Sequence, residues 1–98
     1  MMQQALIKAL RGCRSQLEAE GATSLYLYGS HARGDHRADS DVDVFVDFDA
    51  TKKFSLINLA GVKLAIEDRL GVDAHVTTRD SLYPSVRSDI ERQAIRIF

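Results

Sequence analysis

Hydrophobic positions along this chain switch between two periods, and each switch marks an element. From Gln3 to Glu20, Leu6, Leu10, Cys13 and Leu17 recur at steps of three and four, which predicts one amphipathic helix stopped by Gly21. Ser24–Tyr28 (SLYLY) is rich in β-formers and ends at Gly29-Ser30, so it reads as a short strand. Ser30 is placed to N-cap a short helical turn through Ala32 and Arg33 that Gly34 ends, and Asp35 to Ser40 reads as a polar loop. Val42, Val44, Val46 and Phe48 then alternate with Asp41, Asp43, Phe45 and Asp47, a strand with one apolar face and one face bearing carboxylates.

Helical spacing returns from Ser55 to Leu70, through Leu56, Leu59, Val62, Ile66 and Leu70, with Ser55 as N-cap and Gly71 as stop. Val72 to Thr77 alternates again, with Val72, Ala74 and Val76 on one side and Asp73, His75 and Thr77 on the other. Pro84 suits a first turn, and Val86, Ile90, Ala94 and Ile97 make a last helical stripe. This order predicts one α/β (α+β) domain over residues 1–98, a small mixed sheet of about three strands flanked by helices.

Composition narrows the class. A chain of 98 residues is sized for one core, and 45% hydrophobic with 28% charged residues reads as globular. A formal charge of −1 lacks the basic excess of a polyanion binder, so no direct nucleic-acid binding is expected. The single cysteine, Cys13, cannot form an internal disulfide and lies on an apolar stripe, which fits a small buried hydrophobe in a reducing compartment. No apolar run approaches a membrane span and the N-terminus lacks a signal core, so a cytoplasmic location is expected.

The candidate chemistry lies in Tyr28 to Phe48. A glycine straight after a strand lets backbone approach a ligand, and Ser30 adds a hydroxyl at the start of a helical turn whose free N–H groups suit phosphate oxygens; alone, Gly-Ser is an ordinary turn. Asp41 and Asp43, two apart on a strand, project side by side. Their mutual repulsion calls for a cation, and Mg²⁺ favours few carboxylates plus substrate phosphates; taken alone, an Asp-x-Asp is better read as a solvated strand face. Asp73 is the acidic residue of the third predicted strand. It is either a strand-start residue after a glycine turn or a third carboxylate beside the pair, able to act as a general base.

Together, Gly29-Ser30, ten intervening residues, Asp41-x-Asp43 and a later strand aspartate resemble the DNA polymerase β-type nucleotidyltransferase superfamily. More closely, GSHARGDHRADSDVDVFV resembles the minimal nucleotidyltransferase family, whose signature runs Gly-Ser, Ala-Arg-Gly-Asp, Ser-Asp-x-Asp. The resemblance covers most of the chain, from first helix to last. It implies a polymerase β-like fold and an Mg²⁺-dependent enzyme that transfers AMP from ATP to a hydroxyl. By position it implies Gly29 and Ser30 on the triphosphate, Asp41 and Asp43 on the metal, and Asp73 completing the metal triad and serving as base. Arg33 matches the arginine of Ala-Arg-Gly-Asp, where it either meets phosphate or locks the loop onto Asp35.

Many family members neutralise a HEPN-type toxin by adenylylating one of its tyrosines, which implies an antitoxin in a hetero-oligomer. A binding-only antitoxin that occludes its toxin, and a small-molecule nucleotidyltransferase, are the alternatives. Clustered, mutually repelling acids favour catalysis, because occlusion has no need of them. No paired spacing makes His36 or His75 a zinc ligand, so both read as exposed histidines, and Asp47 reads as a solvated strand end.

Overall fold

The computed structural model describes residues 2–98. Its elements are α1 (Gln3–Arg11), α2 (Arg14–Glu20), β1 (Ala22–Tyr28), α3 (Ser30–Arg33), β2 (Val42–Phe48), α4 (Leu56–Leu70), β3 (Ala74–Thr78), a 3-10 turn at Arg79–Ser81, α5 (Pro84–Gln93) and β4 (Ile95–Arg96). The sheet runs β3-β2-β1-β4. β1 pairs antiparallel with β2 and β4, whereas β2 and β3 are parallel, joined by the crossover through α4. The mixed sheet flanked by helices is as expected, with a fourth strand added.

One sheet face carries the main core. Leu25 and Leu27 of β1, Val42, Val44 and Val46 of β2 and Ala74 of β3 meet Leu6, Leu10, Cys13, Leu17, Val62, Ile66 and Leu70 from the helices. Period two on the strands and periods of three to four on the helices thus converge on one layer. Cys13 is fully buried there as a small hydrophobe, and burial raises its thiol pKa. On the opposite face Phe45 stacks on Tyr26 with centroids 4.8 Å apart, and the Arg79 guanidinium lies over both rings.

Four sequence expectations need correction. The first helix is broken at Gly12-Cys13, where Cys13 N–H donates to Leu10 O, a tighter turn at the weakest helix former of the stretch. Leu56 does not join the stripe of α4; it is 83% exposed, and the buried face of the helix is Val62, Ile66 and Leu70. The last helix ends at Gln93, and Ile95–Arg96 forms a strand, so Ile97 is buried in the sheet layer and its N–H donates to Leu25 O. The outer edge of β1 has backbone groups that demand partners, and this outweighs the helical spacing. Finally, β3 begins at Ala74, so Asp73 stands just ahead of the strand and Val72 is exposed.

β3 is an edge strand tied down from α4. Ala74 N–H donates to Glu67 Oε2 at 3.0 Å, Lys63 reaches the Ala74 carbonyl, and Lys63 and Glu67 are themselves 3.2 Å apart. These two side chains satisfy the outward-facing backbone groups where β3 starts. At its other end α4 is capped as expected, with Ser55 N–H donating to Asn58 Oδ1 at 3.0 Å.

Candidate active site

The site is built where β1 ends against the start of β2. Gly29 leaves β1 at φ 73°, ψ −153°, a conformation open in practice only to glycine, and its carbonyl accepts from the N–H groups of Ala32 and Arg33. Gly29, not Ser30, is therefore the N-cap, and Ser30 is the first residue of α3. The turn closes at Gly34, φ 83°, where Gly34 and Asp35 N–H both donate to Ser30 O. Gln3 of α1 fixes this turn from outside, its amide donating to the carbonyls of His31 and Ala32 at 3.1 and 3.0 Å.

The Gly-Ser turn lies directly on a carboxylate. A Cβ placed on Gly29 would fall 2.5 Å from Asp43 Oδ2. Tyr28 is the cross-strand partner of Asp43 in the β1–β2 register. Burial raises the Asp43 pKa, with the like charge of Asp41 adding to the rise while His75, His31 and Arg33 oppose it. Burial, then the nearby Asp43 charge, raises Tyr28 as well.

Asp41 sits one residue ahead of β2 and accepts from His75 Nε2 at 2.7 Å. The parallel register sets His75 beside Asp43 and Ala74 beside Val42. Asp73 is therefore next in line to Asp41, its carbonyl accepting from Val42 N–H at 3.1 Å. Its side chain is not gathered into a cage: among the described residues no three His, Cys, Asp or Glu side chains form a metal-holding group. The structure brings together Asp41, Asp43 and His75, with Asp73 at the margin.

Arg33 pairs with Asp35 (Nε to Oδ2, 3.1 Å), both exposed at the rim of the turn. His31 is buried, stacked on His36 with centroids 4.1 Å apart, and its Nε2 lies 3.3 Å from Ser40 O. His36 is consequently half-buried, not exposed. Asp47 is no solvated strand end, because Arg79 grips both its oxygens at 2.8 and 3.0 Å and also pairs with Glu91. Sequence spacing gave no sign of Gln3 or Arg79. For His75 a sign existed, since alternation puts it on the same side as Asp73.

Two hard-oxygen donors side by side, one with a raised pKa, form a site short of positive charge. That donor set fits a hard divalent cation completed by water and phosphate oxygens. With no Cβ on Gly29, the backbone of the turn packs directly against the Asp43 carboxylate.

Comparisons with known proteins agree with this fold. A family model described as a nucleotidyltransferase domain matches residues 7–97. A Methanocaldococcus jannaschii protein provisionally named a protein adenylyltransferase is 31% identical over 77 residues, spanning 79% of this chain and 81% of that one. A solved structure provisionally described as a minimal nucleotidyltransferase superposes with a TM-score of 0.84 at 34% identity, covering 97% of this chain and 95% of the other. The fold also matches, at TM-score 0.67 and 16% identity over 99% and 72% of the chains, a structure of a tri-AMPylated Shewanella oneidensis HEPN toxin in complex with MNT antitoxin.

Proposed function

The chain belongs to the nucleotidyltransferase domain family, and from that premise we propose that it transfers AMP from ATP to a tyrosine hydroxyl of a HEPN-type toxin, as that toxin's antitoxin. The observation that carries this reading is the Gly29–Ser30 turn seated against Asp43, with Asp41 beside it. Gly29 and Ser30 hold the triphosphate, and Asp41 and Asp43 hold Mg²⁺. When bound, the cation neutralises phosphate charge and polarises the α-phosphoryl group. The acceptor oxygen forms a bond to Pα, the Pα–O bond to the β-phosphate breaks, and pyrophosphate departs. The proton of the acceptor hydroxyl passes to a carboxylate, a role that falls to Asp73.

Arg33, exposed at the rim of the turn, exchanges its Asp35 partner for phosphate in this reading. In this reading residues 7–97 supply the nucleotidyltransferase domain and the acceptor hydroxyl belongs to the partner, in a hetero-oligomer. Among the described residues no helix is long and apolar enough to cross a membrane.

The test is the intact mass of the partner after incubation with ATP and Mg²⁺. A gain of one or more AMP units, absent with Asp43→Asn, is expected. An unmodified partner whose activity is still suppressed by stoichiometric binding replaces catalysis with occlusion. Asp73→Asn is expected to retain ATP binding while transfer slows steeply; unchanged transfer removes Asp73 from the base role.

A further inference from the structure

We propose that His75 is a positioning residue for Asp41, holding its carboxylate in the orientation in which it and Asp43 share a divalent cation. This rests on the reading that those two acids hold the cation. A carboxylate only accepts, so the 2.7 Å contact requires the hydrogen on His75 Nε2. The bond engages Oδ2 of Asp41, and Oδ1 is not part of it.

Geometry makes the assignment specific. His75 is the β3 residue in register with Asp43, yet its ring reaches across to Asp41, so one imidazole spans the Asp-x-Asp pair. The His75 side chain is 67% exposed and that of Asp41 41%, so the pair adds little to stability. What the contact supplies is orientation. Carboxylate ligands that are themselves hydrogen-bonded bind metal more tightly, because the ligand does not have to be ordered on binding.

The probe is Mn²⁺ titrated into the full chain, with and without a non-hydrolysable ATP analogue, followed by the paramagnetic resonance signal of free Mn²⁺. Wild type is expected to bind and Asp41→Asn to lose binding. His75→Ala is expected to weaken Mn²⁺ affinity about tenfold. His75→Gln, whose amide presents a donor at the same reach, is expected to remain near wild type. Thermal unfolding of both His75 variants is expected to match wild type. Equal or tighter Mn²⁺ binding by His75→Ala, or His75→Gln as weak as His75→Ala, overturns the positioning role alone. No Mn²⁺ binding by wild type under either condition overturns the cation reading and this inference with it.

Discussion

Gly29 and Asp43 occupy space that no side chain at position 29 could share: a Cβ there would fall 2.5 Å from Asp43 Oδ2. The φ of 73° with ψ of −153° excludes other residues independently. Gly29→Ala thus faces a conformational cost of about 1–3 kcal/mol and a displaced carboxylate at the same time. The expected outcome is a fall in melting temperature together with loss of nucleotide transfer. A variant that melts lower but keeps wild-type transfer would separate the turn from the site.

Asp43→Asn separates stability from chemistry. Its folded pKa is raised, so between the unfolded value, about 3.9, and the higher folded value the native state binds more protons than the unfolded chain. Stability from this group is therefore greatest at acid pH and declines as pH rises through the folded pKa. Asn removes that decline. The variant is expected to be at least as stable as wild type at neutral pH, while transfer falls by about two orders of magnitude or more. Denaturant titrations at pH 4 and pH 7.5, with transfer assays, check both halves.

Glu67 gives the opposite pH signature. Its pKa is lowered, first by the Ala74 N–H bond and then by Lys63. Its contribution is present above the unfolded carboxylate value, about 4.3, and disappears as pH falls through the lower folded value. Glu67→Gln is expected to be less stable than wild type near neutrality and to converge with it in acid. Hydrogen exchange at the Ala74 amide is expected to quicken, because that N–H is the group Glu67 holds.

Arg79→Ala leaves Asp47 and Glu91 without their shared cation and uncovers the Tyr26–Phe45 stack. The expected cost is about 2 kcal/mol, read from chemical denaturation. Arg79→Lys is expected to recover less than half of it, since an ammonium cannot grip both Asp47 oxygens or lie flat on the rings.

Much of this was legible in the residues themselves. Alternation in Asp41–Phe48 is written in the local sequence, as is the glycine after Tyr28, because strand facing and positive φ are decided within a few residues. The strand at Ile95–Arg96 was not legible, because its partner edge on β1 lies far away in sequence and overrides a helical spacing. The same holds for His75. Alternation puts it and Asp73 on one side, but which of them stands beside Asp43 is set by the β2–β3 register, Asp43 against His75, which the local sequence does not carry.

The parallel seam between β2 and β3 has a consequence for the order of events during folding. Asp41 and His75 are 34 positions apart, and the chain between them must first form and dock α4 before the two strands can zip together. Contacts closed over long loops are entropically late, so the β1–β2 hairpin can assemble well ahead of that seam. A chain caught at the hairpin stage already owns its glycine turn and both Asp-x-Asp carboxylates, but nothing yet orients Asp41. On the reading that His75 orients Asp41, a half-folded chain carries the motif with a looser cation site until β2 and β3 pair.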